Sequence, residues 1–212
     1  MKTNFFHILL AAVVCAALSS CARSGDKLVS QAMKAYAAMN YDDALALFEE
    51  ALAVESRYPE ELLYTFISNV YSKLEEWETS GDYLEKALAM RADYRGFVTL
   101  GMVRRESGQD DKAEVAFRTA LSLDNNKADA FVHLGALYLA QDKAADALPL
   151  LETAATLAPK EALIYADLAV AHAMLGNTAN SLDALAQATT LHYENADELH
   201  ARVERLLAAP AR

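Results

Sequence analysis

The stretch Phe131-Val132-His133-Leu134-Gly135-Ala136-Leu137-Tyr138, followed by Ala147, Leu151, Ala154 and Pro159, decides the fold. Phe131, Leu134 and Tyr138 recur at steps of three and four, the spacing of one helix face, and Gly135 keeps that face thin. Ala147, Leu151 and Ala154 repeat the same steps in a small, large, small order. Two antiparallel helices with such faces can approach closely. The stretch is a helix-turn-helix unit.

The unit recurs. Ala51, Ala87, Ala120, Ala154 and Ala188 follow one another at intervals of 36, 33, 34 and 34 residues. Seven residues before each stands Ala44, Ser80, Ala113, Ala147 or Ser181, and three before it Phe48, Leu84, Phe117, Leu151 or Leu185. Val54, Met90, Leu123, Leu157 and Leu191 prolong the same apolar face. Upstream, Ile67, Leu100, Leu134 and Leu168 are each followed by small Ser68, Gly101, Gly135 and Ala169, for which the first repeat substitutes Gln31-Ala32. Leu28, Tyr64, Phe97, Phe131 and Tyr165 fill the edge three residues earlier.

This pattern resembles the tetratricopeptide repeat almost residue for residue. The resemblance implies an all-α, right-handed α-solenoid of five repeats within residues 25–195: 25–58, 61–93, 94–127, 128–161 and 162–195. Two extra residues around Arg57-Tyr58-Pro59 and one missing near Asp93-Tyr94 predict irregular joints. Arg104 and His172, standing where Tyr71 and Tyr138 sit elsewhere, predict less complete packing. Pro149 reads as early in its helix, where a missing N–H costs least, and Ala144 as part of a turn. Leu199, Val203 and Leu206 among charged residues predict a capping helix over 196–209, ended by Pro210.

Composition narrows the function. The chain has 212 residues, 54% of them hydrophobic, and 19 Lys+Arg against 30 Asp+Glu give a net charge of −11. That field repels phosphate backbones, so nucleic acid is excluded as a partner. No Gly-x-x-x-x-Gly-Lys-Ser/Thr, Gly-x-Ser-x-Gly or His-Glu-x-x-His is present, and the two cysteines form no pair. His133, His172, His192 and His200 do not cluster. No catalytic residue, metal site or cofactor is expected, and the chain does not read as an enzyme.

Residues 1–20 read as a secretory leader: Lys2, then an apolar run from Phe5 to Leu18 broken only by His7. That run is shorter than the roughly 20 residues that span a bilayer. Leu18-Ser19-Ser20-Cys21 resembles the bacterial lipobox, which implies a signal peptide cut ahead of a diacylated Cys21. Ordinary cleavage leaving a free thiol is the alternative. Residues 21–26 then serve as lipidated cysteine and polar tether. By the same resemblance, Ala22 in place of Asp implies an outer-membrane lipoprotein facing the periplasm of the cell envelope.

In tetratricopeptide proteins the first helix of each pair lines a peptide-binding groove. The resemblance therefore places Val29, Met33 and Tyr36 there from the first repeat, Thr65, Asn69 and Ser72 from the second, and Val98, Met102 and Arg105 from the third. Val132, Ala136 and Leu139 follow from the fourth, and Ala166, Val170 and Met174 from the fifth. The strip is mostly apolar with adaptable methionines and suits a protein or peptide with hydrophobic anchors, unless the terminal helix or a second copy covers it. Arg95, Arg104 and Arg105 form a mildly basic patch, unless nearby acids pair with them. Lipid-anchored proteins of this kind include pilotins for secretins, the scaffold lipoprotein of the outer-membrane insertion machine, and adaptors for wall hydrolases. The expected function is a lipid-anchored envelope scaffold that recruits a protein into an assembly, with an adaptor regulating a peptidoglycan hydrolase as the alternative.

Overall fold

The computed structural model describes residues 24–209; the expected leader over 1–20 and the expected lipid acceptor Cys21 lie outside the described residues. Every regular element among the described residues is an α-helix. Two compact units divide at Ala92 and Asp93. The first holds α1 (Ser24–Ala37), α2 (Tyr41–Leu52), α3 (Glu60–Lys73) and α4 (Trp77–Met90). The second holds α5 (Tyr94–Glu106), α6 (Asp110–Leu123), α7 (Ala128–Ala140), α8 (Ala144–Leu157), α9 (Ala162–Met174), α10 (Thr178–Thr190) and α11 (Ala196–Ala208).

The small-against-large pattern becomes an interlock inside each pair. A β-carbon added to Gly135 would lie 2.7 Å from Leu151 Cδ2, and one added to Gly101 would run into the ring of Phe117. Phe117 and Leu151 are both fully buried. Where the facing small residue is a serine, its hydroxyl donates to a carbonyl across the pair: Ser80 Oγ to Ser68 O at 2.9 Å and Ser181 Oγ to Ala169 O at 2.8 Å.

The turn inside each pair has one solution. Met39, Glu75, Gly108, Asp142 and Gly176 all adopt a left-handed conformation, with φ between 58° and 74°. The next amide then donates back five residues, as from Asn40 N to Ala35 O and from Gln109 N to Arg104 O, which satisfies a carbonyl at the end of the first helix. Only two of the five positions carry glycine, so the other three accept the steric cost of a β-carbon in that region.

The core of the first unit gathers Val29, Phe48, Leu63, Ile67 and Val70 among small alanines, with Phe48 stacked on Phe66 at 5.3 Å. The second is built on Phe117, Leu134, Leu151, Ile164, Val170 and Leu185. Leu199 and Val203 of α11 join it, and Leu206 is half-buried against it, so the last helix closes the stack on α9 and α10.

Several expectations are corrected. The tether does not extend to Asp26, because Ser24 opens α1. Asp26 there accepts from Ser56 Oγ at 3.1 Å and from the Arg57 amide at 3.0 Å, so the extra residues after the first repeat are tied down to the first helix. Val54, Met90, Leu123 and Leu157 do not prolong the buried face; they are 37–53% exposed, Val54 just past its second helix and the others at the last residue of theirs. Ala144 is no turn residue but the buried start of α8, and Pro149 lies in the second turn of that helix, where it removes one internal hydrogen bond. Arg104 leaves no packing defect. Its side chain is fully buried, with Nη1 donating to Gln109 Oε1 at 3.3 Å.

Candidate functional site

The first helices α1, α3, α5, α7 and α9 carry the expected groove residues, and each unit presents its own set. In the first unit Met33 is 47% exposed, Asn69 is exposed, and Ser72 is half-buried with its hydroxyl 2.7 Å from that of Ser80. Tyr36 packs edge-on to Tyr41 at 5.7 Å, and Thr65 Oγ1 donates to the carbonyl of Glu61 at 2.8 Å. In the second unit Met102 is 39% exposed, while Arg105, Ala136 and Met174 are half-buried.

Val29, Val98, Val132, Leu139, Ala166 and Val170 are core rather than groove, each less than 9% exposed. In the second unit neighbouring first helices touch directly, α5 with α7, α7 with α9 and α9 with α11, so the first-position residues Val98, Val132 and Ala166 are core in every repeat, while Leu139 and Val170 show burial reaching the other two positions towards α11. Val29 is likewise enclosed by the core of α1–α4. The apolar strip is therefore narrower than expected, and its accessible anchors are the methionines. The basic patch dissolves too. Arg104 is buried and Arg105 pairs with Glu106 at 3.1 Å, leaving Arg95 exposed.

A cleft of about 370 Å³ opens in the second unit between α7 and the start of α9. Val132, Ile164, Leu163 and Pro159 line it with apolar surface, and Asp129, His133, Lys160 and Glu161 bring polar groups. Leu163 is 46% exposed, a large apolar residue unpaired at the mouth. His133 stacks on Phe117 at 5.6 Å, and burial, with the charge of Arg105 added, holds its imidazole below the usual range and so neutral at pH 7.

One turn beyond Leu163 on α9 lies Asp167. Its Oδ2 is sealed from solvent and has no hydrogen-bond partner. Burial pushes its carboxyl up to about 7, against the opposing pull of Arg202 and Arg105. His133, Leu163 and Asp167 were not among the expected site residues. The signal was present, since His133 and Asp167 each follow by one position a residue assigned to the groove. Among the described residues no group of three or more His, Cys, Asp or Glu could hold a metal ion, and no helix is long and apolar enough to cross a membrane.

Between the second helix α6 and the first helix α7 a different polar network forms. Glu114 accepts from Arg118 Nε and from the Tyr138 hydroxyl, both at 2.8 Å, and Arg118 Nη2 reaches the same hydroxyl at 2.6 Å. These bonds hold the Glu114 carboxyl below its usual range, Arg118 first and Tyr138 second.

Comparison with known proteins agrees with this geometry. Residues 94–127 match the family model of the tetratricopeptide repeat, the same bounds as the third repeat read from the sequence. Over 107 residues, half of the chain, it is 30% identical to the heat shock protein STI1 of Saccharomyces cerevisiae, but the match spans only 18% of that protein. Among solved structures, YrrB, described as a TPR protein with an unusual peptide-binding site, superposes with a TM-score of 0.70 at 22% identity over 89% of this chain and 96% of its own. A tetratricopeptide repeat protein from Parabacteroides merdae gives 0.79 at 15% identity over 87% and 74%, and the MamA protein 0.72 at 15% over 82% and 95%. The fold is the all-helical tetratricopeptide-repeat fold.

Proposed function

We propose that the protein is a non-catalytic interaction scaffold, tethered to the cell envelope by lipid on Cys21, that recruits a protein partner through the inner faces of its first helices. The observation that carries the reading is the division of labour in each pair. The small-large interlock consumes the facing surfaces, while Met33 and Met102 remain 47% and 39% exposed on the first helices. Flexible, polarisable methionines at a surface suit a partner side chain of variable shape. The leader and the Leu18-Ser19-Ser20-Cys21 motif support the envelope address, and the scaffold's place there is within assembly of an envelope complex.

The test is capture of partners from membranes by affinity-tagged protein after crosslinking. Met102→Glu is expected to lose a stoichiometric partner that wild type retains, with melting nearly unchanged, because the residue is 39% exposed. Val115→Glu serves as control, being 65% exposed on the second helix α6. Arg118→Glu is unsuitable for that purpose, since it breaks the contacts to Glu114 and Tyr138. Equal capture by Met102→Glu and wild type would overturn the inner-face reading.

A further inference from the structure

We propose that the inner face of the second unit grips a basic side chain of its partner, a lysine or arginine next to an apolar residue, and that Asp167 receives it. The inference rests on the scaffold reading and narrows it to a partner chemistry. Asp167 Oδ2 is a buried acceptor with nothing to accept from, a costly arrangement that a donor would relieve. The residue as a whole is half-buried, so part of it meets solvent although Oδ2 does not, and a partner's cation reaches that oxygen only by displacing what covers it. Leu163 lies one turn away on the same helix face at the mouth of the cleft, offering an apolar seat for the residue beside the cation.

Charge favours the same partner. Residues 93–209 carry 17 acidic and 10 basic side chains, Asp129 and Glu161 outnumber Lys160 in the adjoining cleft, and Arg105 is paired with Glu106. The groups that act on Asp167 are Arg105 from α5 and Arg202 from α11, with Tyr193 from the connection before α11 responding to its charge. His133 and Asp129 come from α7, and the acids of α8 and α10, Asp146, Glu152 and Asp183, are exposed. Arg202 is thus the chain's own competitor for the site.

In the free protein the carboxyl is half-protonated near pH 7 because burial raises it to about 7. An incoming cation holds the ionised form, so binding releases a proton. Between pH 6 and pH 8 the ionised fraction of such a group rises about tenfold, and affinity rises with it.

The experiment is fluorescence anisotropy on the purified full chain with a labelled peptide alternating leucine and lysine, and a counterpart with glutamate in place of lysine, at pH 6 and pH 8. The lysine peptide is expected to bind about tenfold more tightly at pH 8, and the glutamate peptide more weakly at both. Asp167→Asn removes the pH dependence and most of the preference, and Arg202→Ala tightens lysine-peptide binding, a second readout should Asp167→Asn fold poorly. Unchanged affinity and pH slope in Asp167→Asn, or weaker lysine-peptide binding in Arg202→Ala, overturns the role of Asp167 while leaving the inner face as a binding surface. If neither peptide binds the wild-type chain, the inner face of this unit is not a peptide site and the inference falls with that reading.

Discussion

Ser181 Oγ donates to the carbonyl oxygen of Ala169 over 2.8 Å, twelve residues upstream and on the opposite helix of its pair. Ser80 makes the same bond to Ser68 O at 2.9 Å, and its hydroxyl also lies 2.9 Å from Ser68 Oγ and 2.7 Å from Ser72 Oγ. The small position of the second helix thus tolerates a hydroxyl because the first helix presents a carbonyl to it. Both serines are fully buried, so the bond is the condition for having a polar atom there.

Ser181→Ala is expected to cost about 0.5–1.5 kcal/mol, since the carbonyl of Ala169 loses only its second partner. Ser181→Val, β-branched and unable to donate at a fully buried position, costs more. Urea denaturation of both variants measures the difference, and a valine variant as stable as the alanine one would show that space at Ser181 is not limiting.

Gly101→Ala should destabilise more than Gly135→Ala. The added carbon meets the ring of Phe117 in one case and the branched end of Leu151 in the other. Phe117 is a rigid, fully buried ring stacked on His133, whereas a leucine can change rotamer. Overpacking of this kind costs about 1–3 kcal/mol. Denaturation midpoints falling in the reverse order would contradict the interlock.

The left-handed turn positions predict substitutions of opposite sign. Gly176 has φ 74° with nothing within 4 Å of an added β-carbon, so Gly176→Ala acts through backbone strain alone. It should lose about 1 kcal/mol, and Glu75→Gly, at φ 61°, should gain a similar amount. Thermal melts of the two single variants check both signs.

The stability of the second unit should depend on pH through Asp167. Its carboxyl, raised to about 7, binds more protons folded than unfolded, where aspartate titrates near 3.9. Its contribution is therefore fully present below about 3.9 and is lost as pH rises through about 7. Asp167→Asn should raise the melting temperature relative to wild type more at pH 8 than at pH 5. An equal difference at both pH values would place Asp167 in solvent.

Glu114 has the opposite sign. Held below its usual range by Arg118 and Tyr138, it stabilises above the ordinary glutamate pKa of about 4.3, and that contribution disappears as pH falls through its lower folded value. Arg118 is 59% exposed, so solvent screening limits the effect to about 0.5 kcal/mol. Tyr138→Phe should diminish it, read as a smaller stability difference between pH 6 and pH 3.

Cys21→Ser tests the address. Loss of acyl labelling and release of the chain from membranes are expected, because each buried methylene of an acyl chain contributes about 0.8 kcal/mol to anchoring and no other segment is read as an anchor. Continued association that resists salt washing would contradict a lipid anchor on this residue.

The repeat and its pairing could be read from the chain because they follow from volume at fixed spacing. Gly101 against Phe117 and Gly135 against Leu151 are neighbours within one helix-turn-helix unit, and the period of an α-helix dictates which of their residues meet. The turns were legible neither in conformation nor, at Ala144, in exact place, since that residue opens α8 and the left-handed residue is Asp142. Gly108 and Gly176 suit a left-handed residue and Asp142 tolerates it, while Met39 and Glu75 adopt it at a steric cost, and in all five turns the next amide donates back to the end of the first helix.

What only tertiary structure decided is which side of each first helix stays open. Met102, Ala136 and Val170 hold one register in successive first helices, yet Met102 is 39% exposed, Ala136 is half-buried and Val170, on the helix that packs against α11, is core. Arg104, by composition a surface charge, is enclosed; Asp167, by composition a solvated acid, loses its water to burial beside α11. Local periodicity sets which residues share a face, but burial and the energy of a charge depend on what stacks against that face, and the neighbours come from the next repeat.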